Sequence, residues 1–304
     1  MTHPREDHGE ALLVCGFDDF FAGELNRYWA NYSLENRMID TTGEWVNDDR
    51  FRVDIQTDAA VTFIENHADD DEPFFLYVAH ECPHFPFQGP DDEEKVINEE
   101  NWMESDPQTY VAMLEDLDSE VGRLLKAVDS AGVANNTVVV FASDNGGFGP
   151  AAHMGGLRGS KGTTFEGGIR VPLIIRWPGR IKPDTESNQV CATFDLTRSF
   201  LSLADADVAD DRLEGDDIIE HVVSEKADYP RTLFWRGKRG DRVWSAVRDG
   251  DRKYVRKVEG DQTEEFLFDL SRDRNEAASL MSTDDASHLM GLLSDWEKDV
   301  QPVR

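Results

Sequence analysis

Two short polar stretches follow apolar runs and carry side chains that can bind ions and anions. His84 lies in the first stretch, directly after the apolar run 73–80, and Asp144 and Asn145 lie in the second, after the β-branched run 137–142. A carboxylate beside an amide offers two oxygen ligands of the kind that Ca²⁺ prefers. A histidine can donate a hydrogen bond to an oxyanion or act as an acid.

A third candidate, Lys161, lies in the glycine- and threonine-rich stretch 143–168, where an ammonium group could meet an anionic substrate. The stretch is longer than an ordinary connection, which favours a functional loop. Each candidate also has an ordinary interpretation. Asn145-Gly146 is a common turn signal, His84 can be a simple loop residue, and Lys161 can be a solvated surface lysine. None of them alone indicates an enzyme.

The segments that must position these residues alternate between apolar runs and amphipathic stretches. The predicted strands are 73–80, 137–142 and 169–177. The predicted helices are 57–68, 109–131 and 192–205. This alternation is typical of an α/β fold with a mostly parallel sheet, in which ligands bind beyond the carboxyl ends of the strands.

The pattern changes after about residue 228. Short strand-like runs there are joined by Gly-Asp turns, which predicts an antiparallel meander, and a final helix is predicted over about 286–300. We therefore expect two domains. The first is an α/β domain over 1–227, and the second is a small antiparallel α+β subdomain over 228–304.

The charge balance is strongly acidic. Against 31 Lys and Arg there are 62 Asp and Glu, which gives a formal net charge of −31. Such a charge repels phosphate backbones, so we expect no nucleic-acid partner. The acids are dispersed and only 9 of the 31 basic residues are Lys, a pattern that resembles proteins of salt-loving organisms. An acidic surface for a cationic partner is the alternative.

The sequence contains no apolar run of 18 residues, and its first ten residues, MTHPREDHGE, are polar and charged. Its three cysteines, Cys15, Cys82 and Cys191, are far apart, which favours a reducing compartment over a disulfide framework. We therefore expect a cytoplasmic chain with no membrane partner.

Several ordered motifs together resemble a known family. They are GFDDFFAG (16–23), PFFLYVAHECPHFPFQGP (73–90), the stretch 110–147 that ends in SDNGG, and LRGSKGTTFEGGIRVPLIIRWPGRI (157–181). With a weaker segment at 266–280, they make the chain similar to the sulfatases of the alkaline-phosphatase superfamily. The resemblance implies a large α/β domain with a central mixed sheet and a small C-terminal antiparallel sheet.

The resemblance also implies a chemistry, the hydrolysis of sulfuric esters. Asp144-Asn145 would supply part of a Ca²⁺ site, and Lys161 would contact the sulfate group. His84 would do the same and lie near the leaving group. Glu166 and Arg170 would be structural, closing a loop and starting the strand that follows it. The implied partner is a sulfated small molecule or sugar.

The family's nucleophile is the feature that the motifs lack. Relatives use a formylglycine made from the first residue of C/S-x-P-S-R, and no such motif occurs here; the Asp-Asp metal pair is absent as well. We expect an N-terminally truncated form that lacks on the order of 100 residues, at roughly 30 or more per βαβ unit. Such a chain would carry only half of the metal ligands and would have little or no activity alone. A missing N-terminal segment or a second chain would then be the partner that completes the site.

Two other functions remain open. A phosphatase or phosphodiesterase of the same superfamily would more often carry Asp-His where this chain has Asp144-Asn145. A non-catalytic fragment with a binding or assembly role needs no nucleophile. Phosphate-ester turnover with Zn²⁺ would favour the first, and a folded product without turnover would favour the second.

Overall fold

The computed structural model describes residues 16–23, 28–29, 37–40, 45–98, 100–207 and 213–300. Its contacts divide the chain into two compact units, with the boundary between Thr137 and Val138. The expected domain boundary at 227/228 stays a prediction. Among the described residues, no helix is both long enough and apolar enough to cross a membrane.

The first unit contains a small sheet and two long helices. The sheet is antiparallel in the order β1-β2-β3, with strands Phe21–Gly23, Arg37–Asp40 and Trp45–Asn47. Helices α1 (Arg52–His67) and α2 (Pro107–Ser130) pack against each other. Helix α2 begins where the Asp106 carboxylate accepts the free backbone N–H groups of its first turn.

The second unit begins with an antiparallel pair, β4 (Val139–Ala142) and β5 (Leu173–Arg176). The long glycine-rich loop joins these strands and contains one helical turn, α3 (Glu166–Ile169). Helices α4 (Thr193–Leu203) and α5 (Ile218–Val223) follow and contact each other.

A four-stranded antiparallel meander completes the second unit. Its strands are β6 (Thr232–Arg239), β7 (Arg242–Asp249), β8 (Arg252–Glu259) and β9 (Gln262–Asp269). Each two-residue turn begins with a glycine whose φ is near +60°, at Gly240, Gly250 and Gly260. Helix α6 (Ser287–Asp299) packs Leu289 and Leu293 against the sheet.

These elements confirm the α/β class with a C-terminal antiparallel subdomain. The predicted helices agree with α1, α2 and α4, and the predicted strands 137–142 and 169–177 contain β4 and β5. The run 73–80 was predicted as a buried strand, but it pairs with no strand among the described residues. Its side chains alternate in exposure, and Phe75 and Tyr77 are 57% and 71% exposed. Every strand pairing in the described part is antiparallel, so the parallel pairs that we expected are not found there.

Candidate functional site

The second unit brings three of the four predicted site residues onto two joined segments. The stretch 144–147 follows β4, and its backbone is hydrogen-bonded to the loop 157–168. The Gly146 N–H donates to the Gly168 carbonyl oxygen over 2.9 Å, and the Lys161 N–H donates to the Gly147 carbonyl oxygen over 3.0 Å. The backbone of Lys161 is thereby bonded to Gly147, which follows Asn145 by two positions.

Glycines make this close approach possible. A Cβ atom at Gly146 would lie 1.9 Å from the Gly167 carbonyl oxygen, and one at Gly168 would lie 2.2 Å from the Thr163 carbonyl oxygen. Real Cβ atoms do not approach backbone atoms this closely, so a side chain at position 146 would force the two segments apart, and one at position 168 would distort the loop 157–168 itself. Gly146 and Gly168 are therefore packing positions.

Asp144 and Asn145 lie at the carboxyl end of β4, where the side chain of Asp144 is exposed and that of Asn145 is half-buried. The Asn145 amide nitrogen donates to the Asp144 carboxylate. The pair offers one carboxylate and one amide oxygen, which suits a hard cation once the amide turns its oxygen outward. No group of three or more His, Cys, Asp or Glu side chains that could hold a metal ion occurs among the described residues. The fit is therefore that of a partial oxygen site.

Lys161 lies in a tight turn. Thr163 closes this turn, because its hydroxyl donates to the Ser160 carbonyl oxygen over 2.9 Å and accepts from the Ser160 N–H over 3.3 Å. The Lys161 side chain is half-buried, and no described residue forms an ion pair or hydrogen bond with its ammonium group. Its charge is therefore available to an anion.

His84 belongs to the first unit, in a segment held by backbone contacts. The Tyr28 hydroxyl donates to the His84 carbonyl oxygen over 2.9 Å, and the peptide bonds before Pro83 and Pro86 are cis. The His84 Nδ1 atom lies 2.7 Å from the Phe85 carbonyl oxygen. Because a carbonyl only accepts, Nδ1 carries a proton and the other ring nitrogen, Nε2, is the one that can exchange a proton.

Two of the three cysteines lie among the described residues, and in both the surroundings favour the neutral thiol. The Cys82 thiol is buried and donates to the Met113 carbonyl oxygen over 3.2 Å, and its burial raises its pKa. Burial and the nearby Asp195 carboxylate also raise the pKa of Cys191. Neither thiol has the lowered pKa of a reactive cysteine. Cys15 lies outside the described residues.

The comparisons with known proteins agree with the motifs. The family model "Sulfatase" matches residues 5–206, which is more than half of the chain. The chain belongs to the sulfatase family. A second model, "N-sulphoglucosamine sulphohydrolase, C-terminal", matches residues 160–301 of this sulfatase-family chain.

Curated relatives are similar over only part of their own length. A sulfatase of Formosa agariphila is 30% identical over 260 residues, which cover 77% of this chain and 47% of the relative. Arylsulfatase A of Homo sapiens is 33% identical over 190 residues, which cover 60% of this chain and 36% of that enzyme. The chain thus spans less than half the length of these two relatives.

Solved structures share the fold. Ps i-CgsB matches with a TM-score of 0.83 at 24% identity, covering 99% of this chain and 70% of that chain. The same protein in complex with k-i-k-neocarrahexaose matches with a TM-score of 0.82. A further structure, in complex with its substrate D-glucosamine-2-N,6-O-disulfate, matches with a TM-score of 0.72 at 20% identity and covers 94% of this chain and 78% of that one.

Proposed function

We propose that this chain forms part of a sulfuric ester hydrolase that acts on sulfated sugars. The observation that carries the proposal is the hydrogen bond from the Lys161 N–H to the Gly147 carbonyl oxygen. This bond joins the loop that bears a half-buried cation to the segment that bears Asp144 and Asn145. A cation on one segment and oxygen ligands for a metal on the segment bonded to it suit a substrate whose anionic group must be bound and neutralised.

In this proposal Lys161 binds a sulfate oxygen. Its ammonium group has no anionic partner among the described residues, and the surrounding chain carries a net charge of −31. Lys161 therefore attracts a sulfate group locally, against the overall repulsion of the protein. Because charge develops on the sulfate and leaving-group oxygens as the ester bond breaks, the same contact lowers the barrier.

His84 is the proposed proton donor to the leaving-group oxygen. The bond from Nδ1–H to the Phe85 carbonyl oxygen fixes the ring orientation and assigns proton exchange to Nε2. When the ring is protonated, Nε2–H can donate to the bridging ester oxygen, so that the sugar leaves as an alcohol. Loss of this donor should slow esters of poor leaving groups more than aryl esters.

Asp144 and Asn145 are the proposed protein ligands that this chain contributes to Ca²⁺. A bound Ca²⁺ ion would supply a Lewis acid that polarises the sulfate. The chain's own part is to present one carboxylate and one amide oxygen at the end of β4. Two ligands are fewer than the six to eight oxygens that Ca²⁺ usually takes, so the remaining ligands must come from elsewhere.

The nucleophile is also proposed to come from residues outside this sequence. The 304 residues contain no C/S-x-P-S-R motif, and the pKa values of the two described thiols are raised. We therefore expect the chain alone to have little or no turnover. A longer chain or a second polypeptide that carries the motif would complete the site.

Sulfated sugars are the proposed substrate class because two structures of the same fold hold sugar ligands, k-i-k-neocarrahexaose in one and D-glucosamine-2-N,6-O-disulfate in the other. Both structures are less than 25% identical to this chain, so the likeness concerns the fold. Their ligands therefore serve to choose the compounds that are assayed first.

The test compares the 304-residue chain with a longer form that adds an upstream segment carrying C-x-P-S-R. Both are assayed on an aryl sulfate, a sulfated oligosaccharide and an aryl phosphate. We expect sulfate turnover only in the longer form, with Lys161→Met lowering kcat/KM about 100-fold or more. The control Lys182→Met changes an exposed lysine paired with Glu225 and should leave the rate unchanged. Turnover of phosphate alone would contradict the proposal.

The metal assignment has its own measurement. In the longer form, Asp144→Ala should weaken Ca²⁺ binding measured by calorimetry, whereas Asp118→Ala, on the exposed face of α2, should not. Unchanged Ca²⁺ affinity in Asp144→Ala would remove Asp144 from the site.

A further inference from the structure

The loop that carries Lys161 is attached to the C-terminal sheet on both sides of that residue. On the N-terminal side, the Arg158 guanidinium lies over the ring of Phe165 at 4.2 Å and over that of Phe266, on β9, at 4.6 Å. Its Nη1 atom donates to the Glu276 carbonyl oxygen over 3.2 Å. These contacts fix the loop three residues before Lys161.

On the C-terminal side, Glu166 is the point of attachment. Its N–H donates to the Glu276 carboxylate over 2.6 Å, and its own carboxylate accepts from the Lys253 ammonium over 2.7 Å and from Arg170 Nε over 2.7 Å. Glu166 is 3% exposed, so these bonds are shielded from water. The family resemblance implies that Glu166 closes this loop, and its observed partners are Glu276, Lys253 and Arg170.

Lys253, on β8, joins the two buried carboxylates. Its ammonium lies 2.7 Å from Glu166 Oε1 and 2.9 Å from Glu276 Oε1, and both Lys253 and Glu276 are fully buried. Burial acts to raise the pKa of Glu166, but Lys253 and Arg170 outweigh it and hold that pKa below its usual value. Burial raises the pKa of Glu276, which the Lys253 charge only partly offsets. Without Lys253, two buried carboxylates would repel each other beside the loop.

We propose that Lys253 is a positioning residue for Lys161. Through Glu166 and Glu276, it holds the loop 158–166 in the conformation that keeps the Lys161 backbone bonded to Gly147, in the segment that bears Asp144 and Asn145. The consequence of the ammonium's position for sulfate rests on the proposed function, but the positioning itself does not. Lys253 touches no substrate in this proposal and acts only through the loop.

The energetics favour a positioning role over a purely stabilising one. A buried ion cluster gains little stability over well-packed apolar residues of the same volume, because each charge loses its hydration. What the cluster supplies is a fixed pairing, because the two buried carboxylates are compensated only while both stay in contact with the ammonium. The aromatic contacts of Phe165 with Trp244 and Phe266 already bury the apolar part of the loop, so Lys253 adds orientation to an attachment that exists without it.

The test uses the 304-residue chain and four variants. Lys253→Met removes the buried charge, and Lys253→Arg keeps it. The double variant K253M/E276Q removes the Lys253 charge and also the Glu276 charge that Lys253 compensates. Because no buried carboxylate at position 276 is left without a partner, this variant is less prone to unfold. Lys257→Met is the matched control, because Lys257 lies four residues further along β8 and pairs with the exposed residues Glu259 and Glu264.

Two readouts report on the loop rather than on the fold. Hydrogen exchange of the amides 159–168 measures how often the loop opens, with the amides of β8 and β9 as the internal reference. The rate of Lys161 acylation by an N-hydroxysuccinimide ester, followed by mass spectrometry across pH, measures the surroundings of its amine. We expect about tenfold faster loop exchange and a shifted acylation profile in Lys253→Met and in the double variant. Lys253→Arg and Lys257→Met should behave like the unchanged chain.

Three outcomes would overturn the proposal. The first is a double variant whose sheet stays protected while its loop exchange and acylation profile match those of the unchanged chain. The second is loop exchange in Lys253→Arg as fast as in Lys253→Met. The third is an equal effect of Lys257→Met. Neither readout needs ester turnover, so a chain that never hydrolyses a sulfate can still confirm the positioning role, and an active enzyme can still contradict it.

Discussion

The Arg231 guanidinium forms a two-pronged ion pair with the fully buried carboxylate of Asp195. The two hydrogen bonds measure 2.6 and 2.8 Å, and Asp195 also accepts from the backbone N–H groups of Ala192 and Asp216. The carboxylate therefore has four donors and no contact with water. It ties the start of α4 to the residue that precedes the C-terminal sheet.

Removing this cation should destabilise the chain strongly. Arg231→Met leaves Asp195 charged and buried, which we expect to lower the free energy of unfolding by about 3–5 kcal/mol. Urea denaturation followed by circular dichroism measures the change. The control Lys182→Met breaks an exposed ion pair with Glu225 and should leave the midpoint unchanged. A loss similar to that of the control would show that water replaces the guanidinium.

The close approach of Gly146 to Gly167 makes a second prediction. Gly146→Ala would place a Cβ atom 1.9 Å from a backbone oxygen, so the segments 144–147 and 157–168 must separate. We expect a loss of about 2 kcal/mol or more in stability and faster hydrogen exchange in both segments. Gly122→Ala is the control, because that helical glycine has open space around it and should gain up to about 1 kcal/mol. Equal stability of the two variants would contradict the close packing.

A third prediction concerns pH and the first unit. Burial, and next the nearby carboxylates of Asp54 and Glu120, raise the pKa of Asp116 to about 6 from a usual 3.8. The folded state therefore binds this proton more tightly than the unfolded state does, and the stability that it contributes is lost as pH rises from about 4 through about 6.

Asp116→Asn should remove that part of the pH dependence and raise the stability at pH 7, because the amide buries no charge and does not repel Asp54 or Glu120. Denaturant midpoints measured from pH 4 to 7 provide the test, with the exposed Asp118→Asn on the same helix as the control. An unchanged slope in Asp116→Asn would assign the effect to another group.

The charge balance makes a fourth prediction. At a net charge of −31, the dispersed carboxylates repel one another, and added salt screens this repulsion over a Debye length of about 3 Å at 1 M. We expect the thermal midpoint to rise between about 0.1 and 1 M NaCl. KCl at the same concentrations is the control and should give the same rise, because screening depends on ionic strength. A flat response to NaCl would count against the interpretation as salt adaptation.

Much of the fold can be predicted from the periodicity of the sequence alone. Helix α2 has a 3.6-residue apolar pattern and an Asp106 cap, and the C-terminal meander has Gly-Asp turns at regular intervals, so both are local signals. The run 73–80 shows the limit of this approach. Its composition suits a strand, but a strand also needs a hydrogen-bonded neighbour, and no described residue supplies one.

The candidate site can be predicted only in part from the sequence. Lys161, Asp144 and Asn145 are predicted from their motifs, and the structure joins their segments through a backbone bond that no side-chain pattern encodes. Lys253 gave no signal, because in the alternating strand RKYVRKVE a lysine that faces inward looks like one that faces water. Its role depends on Glu276, 23 positions further along the chain, and such a pairing is set by tertiary structure.

The loop 158–166 is attached on both sides of Lys161, and this has a consequence for chimeras that join part of this chain to part of another protein. The two family models overlap along the chain from residue 160 to residue 206, so neither assigns that stretch to one module alone. A chimera that takes residues 232–300 from another protein would have to bring its own partners for Arg158 and Glu166. Without them, the transplanted sheet could fold correctly and still leave the Lys161 loop without its attachments.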